Sequence, residues 1–555
     1  MTAPEPRSDN RFHSRVYLAV VIGFLLLSLG VAYLDEDAFI SFRVVDNFVH
    51  GYGLRWNIDE RVQVYTNPLW VLALIPLHGL FSGIGWASIG WASWTLSAVS
   101  STAAVAIIAG RLRSQPMVLV GGFVAPLLCS QAFTDYTNSG LENPFLYLFI
   151  ALFAERVSRD EAEVPWFALC VIAALCAATR LDSFLLFAPT LAWFWLRDLR
   201  RGRGLQLGPI VLGASPLLLW LAFSLFYYGT PFPNPKYAKL NGGIPLLEYL
   251  RLGGLYLGDM ARNDVVTLLG LVAAVAGSLG LLRLPVWTRL LVVGAVLYCV
   301  YVVYVGGDFM AGRHWASPFF LSVSALALAV RDRAWARSPE ALTVGVGVIL
   351  AARFVVQPLT EQHLVIQTRE QNRLAIVRNG GIRLQRFNCG YYEALIGSRG
   401  PLTAHSWSVE GLDDRAAAEQ LHASDPTARY VVVNGNSGKT AYFAGPDVLY
   451  VDLLGIADAL MARLPDRDGK LEMSGHLYRA VPLEYVEARR SGSLDGLDAH
   501  LRAWYAPMQQ IISGPLFSGE RLKAIWNMNT GAYDGELRAY IADMPNQAMY
   551  EEPKK

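Results

Sequence analysis

At 555 residues, 53% hydrophobic and 17% charged, the chain carries too little charge for a soluble protein of its size. A net charge of +1, with no basic cluster interleaved with aromatics, leaves no footprint for a nucleic-acid partner. The five cysteines (Cys129, Cys170, Cys176, Cys299, Cys389) show no metal-ligand spacing and four lie in apolar blocks, so neither a zinc site nor a disulfide framework is expected.

The polar, basic start "MTAPEPRSDNRFHSR" is followed by the apolar run "VYLAVVIGFLLLSLGVAYL". No small-residue cleavage site follows it, which fits a retained signal-anchor. Apolar segments recur down to residue 358, of which 143–155 and 184–196 are short and need flanking residues to span. Eleven crossings are expected, at 17–34, 86–110, 116–132, 143–155, 165–179, 184–196, 207–228, 264–282, 290–306, 315–330 and 340–358. The stretch 67–82 is apolar but short and holds Pro68 and Pro76. With it read as interfacial or re-entrant, Lys and Arg are about three times as dense in one set of loops as in the other, which marks the dense set as cytoplasmic. The chain is thus expected as a cytoplasmic N-terminus (1–16), a polytopic α-helical membrane domain (17–358) with a long first outer loop (35–85), and an extracytoplasmic domain (359–555).

The outer loops gather the unusual polar residues. The first opens "DEDAFISFR" with Asp35, Glu36, Asp37 and Arg43. The second, "FTDYTNSGLENP", holds Asp135 and Glu142, and "TRLDS" holds Arg180 and Asp182. "YYGTPFPNPKYAK" holds Lys236 and Lys239, and "GGDFMAGRHW" holds Asp308, Arg313 and His314. Ionisable groups beside spanning helices are costly and mark function by default. Carboxylates suit a general base that deprotonates a hydroxyl, and Arg or Lys suits a phosphate. Each also has a plain structural alternative: solvated flanks for the acids, a neutralising pair for Arg180 and Asp182, headgroup contacts for the lysines and an interfacial role for His314. Two glycines, Gly306 and Gly307, allow close backbone approach beside Asp308 and Arg313.

Beyond about residue 360, helical patterns ("DDRAAAEQLHA", "SLDGLDAHLRAWYAPMQQII") alternate with short apolar strands ("YVVVN", "VLYVDLLG"), the pattern of a small α/β domain. "NGNSGKT" imitates a phosphate-binding loop, but the position that requires glycine is Val433, so a strand ending in a turn is expected. Asp452, Asp458 and His476 could line an acceptor groove, and a structural role is expected for each.

In order along the chain, "DEDAFISFRVVDNFVHGYGLRWNIDERVQVYTNPLW", "SGLEN", "TRLDS", "YYGTPFPNPKYAK", "VGGDFMAGRHWASP" and, later, "VVVNGNSGKTAYFAG", "VDLLGIADALMARLP" and "GHLYRAVPLEYV" resemble the GT-C superfamily of glycosyltransferases. The similarity is greatest to the bacterial branch with terminal arabinofuranosyltransferases of the cell wall. The resemblance implies a multi-pass enzyme of the bacterial inner membrane, with its N-terminus in the cytoplasm. It would move a sugar, D-arabinofuranose in that branch, from a polyprenyl-phosphate donor to an envelope polysaccharide, glycolipid or surface protein, with inversion. It also implies a catalytic acid in the first outer loop. The family has two adjacent aspartates before an Ala-Phe pair, matched here by Glu36 and Asp37. Asp37 is the expected base, with Glu36 and Asp35 the other candidates. Arg180, Lys239, Lys236 and Arg313 would face the donor phosphate. Asp135, Glu142, Asp182, Asp308 and His314 would lie near the acceptor or a metal. No cofactor is required, and a divalent ion, Mg2+ or Mn2+, is left open. The rival class is a transporter of a lipid-linked glycan. It would place ionisable groups near the bilayer midplane, often in two related halves, and no duplicated half is visible.

Overall fold

The computed structural model describes residues 7–81, 88–159, 163–240, 243–333, 338–356, 374–379, 382–387, 406–435, 437–467 and 475–551. The expected domain boundary near 358 and Cys389 lie outside them. The chain forms two compact units that do not follow sequence order. One comprises Met1–Leu34, Ser93–Leu217 and Leu246–Ile396, and the other Asp35–Ala92, Leu218–Pro245 and Gly397–Lys555.

The first unit is built of apolar helices. By length and composition, His13–Gly30, Ser88–Arg111, Leu207–Tyr228 and Val286–Tyr304 can each cross a membrane. A fifth crossing is formed if Leu246–Asn263 and Val265–Leu281, which meet at a bend of 105°, count as one broken span. The other six expected crossings are helical but fall short of that measure, among them Trp166–Thr179 and Ala316–Val330. Two boundaries differ from the expectation. The stretch expected as loop 229–263 contains the helix Leu246–Asn263. The expected crossing at 184–196 begins as a 3-10 turn, Leu181–Leu186, before the helix Ala188–Arg200. Ala316–Val330 is buried over nearly its whole length, so it is the centre of this unit. Leu212 and Leu219, by contrast, stand exposed on Leu207–Tyr228, as an outward apolar face does where lipid replaces water. Small residues set the closest crossings. A side chain at Gly253 would strike the carbonyl of Val303, and one at Gly294 the carbonyl of Leu186. Cys129, Cys170, Cys176 and Cys299 are unbonded. A two-stranded antiparallel hairpin, Leu374–Asn379 with Ile382–Phe387, also belongs to this unit.

In the second unit, the expected strands form. Tyr430–Asn434 runs parallel to Val448–Asp452, joined through the helix Lys439–Ala444. The helices Ser406–Ser424, Leu483–Ser491, Ala499–Ser513, Gly519–Asn529 and Asp534–Asp543 complete this α/β arrangement. Asp498 caps the helix Ala499–Ser513 by accepting from His500 N and Leu501 N, which starts it later than the apolar pattern does. Asp452 and Asp458 are structural. Asp452 accepts from Leu454 N and Ala457 N, and Asp458 from Leu460 N, Met461 N and Tyr485 Oη.

The first outer loop is part of this second unit. Its helix Ala38–Val49 packs on Pro68–Phe81, the short apolar stretch expected as interfacial or re-entrant, and His78 Nε2 meets Asp46 Oδ1 at 3.1 Å. Its polar residues explain the grouping. Arg43 is buried and donates to the carbonyls of Trp56 and Val448 at 2.8 Å each, and to that of Ala441. Asn57 donates to Tyr450 O at 2.9 Å, accepts from Tyr450 N at 3.0 Å and donates to Glu60 Oε1. It thus continues the edge of strand Val448–Asp452 as a neighbouring strand would.

Replacing Asn57 with Ala strands both main-chain groups of Tyr450. A loss of about 2–4 kcal/mol is expected, read as a lower Tm and faster proteolysis of the 406–551 region. An unchanged cleavage pattern and Tm would refute the clamp.

Candidate active-site residues

The residues singled out in the sequence divide between the two units, Asp135, Glu142, Arg180, Asp182, Asp308, Arg313 and His314 in the first and Asp35, Glu36, Asp37, Lys236 and Lys239 in the second. In the first unit, Glu142 is fully buried and precedes the helix Asn143–Val157, which Pro144 opens at a position that needs no N–H. Helix Trp166–Thr179 ends at Arg180, whose extended backbone (φ −155°, ψ 122°) turns the chain and sets Asp182 beside it. Arg180 grips Asp182 through two bonds, Nε to Oδ1 at 3.1 Å and Nη2 to Oδ2 at 2.7 Å. Its Nη1 donates to Glu142 Oε1 at 3.1 Å. Arg313 Nη2 donates to the same Glu142 oxygen at 3.2 Å, while its Nη1 lies 3.7 Å from Asp308 Oδ2.

Glycines shape the Asp308 loop. Gly307 adopts φ +72° with Tyr256 directly against it, and Gly312 adopts φ +82° against Ala132, so neither position tolerates a side chain. The loop brings His314 Nε2 to 3.3 Å from Asp308 Oδ2 and its Nδ1 to 3.2 Å from Tyr298 Oη. Tyr256 Oη donates to Met310 O and accepts from His314 N. His314 therefore joins the cluster, and Tyr256 and Tyr298 enter with it. Tyr298 sits inside an apolar helix and Tyr256 on a stretch expected as loop, so neither carries a sequence signal for the site. Asp135 lines a narrow cleft with Asp259 and Asp264.

Electrostatics follow from burial. Burial alone would raise the Asp182 carboxyl, but the Arg180 fork holds it below the usual range. Burial, helped by Arg180, holds His314 below its ordinary 6.5 against the pull of Asp308, so the imidazole is neutral near pH 7. The two guanidiniums are thus committed to three carboxylates. Among the described residues no three His, Cys, Asp or Glu side chains are disposed to hold a metal ion. Glu142 and Asp182 are engaged by Arg180, and His314 by Asp308 and Tyr298, so this donor set does not fit one.

In the second unit, the three consecutive acids occupy three environments. Asp35 is buried, and its Oδ1 accepts from Asp37 N at 2.9 Å. The Glu36 carboxylate enters the loop before helix Lys439–Ala444, where Oε1 accepts from Lys439 N at 2.8 Å. Gly438 lies so close that a side chain there would overlap Glu36. This is the "NGNSGKT" loop, and the group it receives is the chain's own Glu36 carboxyl. Burial pushes Glu36 up to about 7, with the Lys439 charge and main-chain N–H groups pulling the other way. Asp37 is only partly buried. It stands at the N-terminal end of helix Ala38–Val49 and makes no side-chain cap there. Lys236 and Lys239 are exposed on the short helix Asn234–Leu240, with Lys236 Nζ 3.5 Å over the ring of Phe232.

No family model matches the chain. Over 516 residues it is 24% identical to the terminal beta-(1->2)-arabinofuranosyltransferase of Corynebacterium glutamicum, which spans 79% of this chain and 72% of the relative. Two crystal structures of ArnT from Cupriavidus metallidurans, one bound to undecaprenyl phosphate and one apo, align over 81% of this chain and 76% of theirs. Their identities are 14% and 13% and their TM-scores 0.39 and 0.41.

Two outcomes are expected of these clusters. Arg180→Gln removes the partner of two largely buried carboxylates and should cost about 3–5 kcal/mol, whereas Glu142→Gln should cost less; thermal unfolding in detergent ranks the two, and the reverse order would refute the assignment. The folded Glu36 carboxyl keeps its proton up to about 7, and an unfolded one loses it near 4.5. Folding therefore takes up a proton between those values, and this contribution to stability falls as pH rises across the window. Glu36→Gln should flatten the fall in Tm between pH 5 and pH 7.5; an unaltered slope would show that Glu36 does not titrate there.

Proposed function

We propose that this chain, a membrane glycosyltransferase of the GT-C superfamily in its arabinofuranosyltransferase branch, moves D-arabinofuranose from a polyprenyl-phosphate carrier to a hydroxyl of an envelope glycan, glycolipid or surface protein. The observation that carries this reading beyond the similarity to the corynebacterial enzyme is the fate of the three consecutive acids. Asp35 holds the backbone of Asp37 and Glu36 the 438–439 loop, while Asp37, only partly buried, makes no cap bond to the helix it heads, and this placement supports it as the base.

Asp37 heads a helix, where the positive end of the helix dipole favours the ionised carboxylate that a base must be. It takes the proton of the acceptor hydroxyl as that oxygen attacks the anomeric carbon. The bond from that carbon to the phosphate oxygen breaks, and polyprenyl phosphate leaves with the electron pair, inverting the carbon. The proton stays on Asp37 until it passes to water. The departing phosphate needs positive charge as its own charge grows. Of the four cations expected for that task, Arg180 and Arg313 are engaged by Glu142, Asp182 and Asp308, whereas Lys236 and Lys239 stand solvent-exposed in the unit that carries Asp37, so the lysines suit it better. In this reading the arginine cluster holds the helix mouths of its own unit in place. The basic-loop distribution puts the N-terminus in the cytoplasm and the first outer loop and C-terminal domain outside. No step is routed through a metal.

The test is transfer by the full-length protein in liposomes, from polyprenyl-phosphate arabinofuranose to a short synthetic acceptor. Asp37→Asn should lower kcat about 100- to 10,000-fold, while Glu36→Gln should stay within about tenfold of wild type. Equal rates for Asp37→Asn and wild type would remove Asp37 from the chemistry.

A further inference from the structure

The last turns of helix Leu207–Tyr228, from Leu218 on, belong to the second unit. With 22 residues at about 1.5 Å each, the helix matches the thickness of a bilayer's hydrocarbon core, so its ends lie at the two membrane surfaces. Its aromatics gather at one end. Trp220, Phe223, Phe226, Tyr227 and Tyr228 form the kind of belt found where membrane meets water. Leu219, Phe223 and Phe226 fall at i, i+4 and i+7 and share a stripe, on which Leu219 and Phe223 are exposed.

The C-terminal chain is locked to that end. Arg521 Nη2 donates to Tyr227 O at 2.9 Å and Asn529 Nδ2 to Gly229 O at 2.7 Å, so helix Gly519–Asn529 supplies donors to carbonyls where the apolar helix stops. Gly229, at φ +82°, has Ile511 so close that no side chain fits. The Phe517 ring lies 5.4 Å from that of Phe226.

This lock turns an apolar face outward. Arg521, Ala524 and Ile525 are buried, whereas Leu522 and Trp526, one turn apart, are 46% and 71% exposed. Phe517 precedes the N-cap Ser518, a position that leans toward the fourth helical residue, here Leu522, and it is 83% exposed. Such a face is a liability in water. The stripe on the apolar helix indicates what covers it. Leu219 and Phe223 meet lipid when the helix spans a bilayer, and the stripe runs on through Phe226 into Phe517. A soluble partner on Phe517 would adjoin hydrocarbon, whereas lipid already lies there. Lys523, exposed between Leu522 and Trp526, is long enough to keep its stem beside them and its ammonium among headgroup phosphates.

We propose that Phe517, Leu522 and Trp526 form an interfacial anchor that dips into the headgroup–acyl boundary of the leaflet reached by Tyr228 and holds the unit carrying Asp37 at the bilayer surface. The anchor goes beyond the transferase reading and does not rest on it; it needs only that Leu207–Tyr228 crosses the membrane.

The experiment is spin labelling of the full-length protein, with its native cysteines replaced by Ala, in nanodiscs of palmitoyl-oleoyl phosphatidylcholine. Nitroxides on Leu522→Cys and Trp526→Cys should collide with dissolved oxygen at least about threefold more readily than with an aqueous nickel chelate. Leu219→Cys, on the stripe of the apolar helix, is the reference for a side chain in hydrocarbon. Preferential collision with the chelate at 522 and 526, with Leu219→Cys shielded, would overturn the anchor and leave the crossing intact; chelate access at all three would overturn both. Spin–spin broadening between labels at 526 would put a second copy on this face and also overturn the anchor. Benzoylphenylalanine in place of Trp526, in the otherwise native chain, keeps the test valid if the cysteine-free protein fails to fold. It should crosslink to phospholipid on illumination, and a protein–protein adduct or no adduct would overturn the anchor. Sugar transfer plays no part in these readouts, so failure of the transferase reading leaves them untouched.

Discussion

Much of the second unit depends on one constraint: buried polar side chains of the 35–92 segment must find partners, and they find them in the C-terminal chain. Arg43 needs carbonyls to replace water and takes those of Ala441 and Val448 in addition to that of Trp56. Glu60, buried and pushed up by desolvation, is met by Arg489 at 3.1 Å and by Asn57 at 2.9 Å. Arg61 reaches the end of helix Ala499–Ser513, and Phe39 packs its ring against Tyr442 and Phe443. A charged group left unpaired in such a place costs several kcal/mol. The loop is therefore an inserted part of the α/β unit, and the helix that carries Asp37 takes its position from residues some 400 positions away in sequence.

The first unit solves a different problem with the same chemistry. Glu142 is fully buried at a helix start, and two arginines share one of its oxygens. Each arginine also holds a second carboxylate, so three acids and two bases leave a small net negative charge with His314 neutral. A guanidinium with Nε, Nη1 and Nη2 all engaged has little left for a phosphate, however well its type suits one. The family resemblance nominated Arg180 for the donor. Its hydrogen-bond inventory argues for positioning.

The difference between these levels explains what was legible beforehand. The apolar runs, the strands Tyr430–Asn434 and Val448–Asp452, the Arg180–Asp182 pair and the role of Gly307 all rest on local pattern, and the chain displays local pattern directly. The helix Leu246–Asn263 was hidden because its apolar stripe is broken by Glu248, Arg251 and Asp259, which makes it look like loop beside the all-apolar helices. Its bend against Val265–Leu281 centres on Asp264, a buried N-cap whose side chain meets Thr267 N. Tyr256 and Tyr298 of the Glu142 cluster could not be found at all, since an aromatic reads as core or loop filling until its hydroxyl is traced to a partner.

The acids "DED" carry the same lesson furthest. Three adjacent carboxylates look redundant, and a choice among them on sequence grounds rests on the family pattern. The fold makes them unequal, because consecutive residues at a helix entrance point in different directions. Asp35 turns inward and fixes the backbone of Asp37. Glu36 has the longer side chain, and its Oε1 reaches Lys439 N in the 438–439 loop. Asp37 begins the helix without capping it. An N-terminal aspartate that capped its own helix would be a poor base, its oxygens committed to main-chain N–H groups and its pKa depressed. With a carboxylate oxygen of each neighbouring acid engaged in structure, the entrance leaves Asp37 at the positive end of the helix dipole without a cap bond to its own helix, which is the placement the proposed base requires.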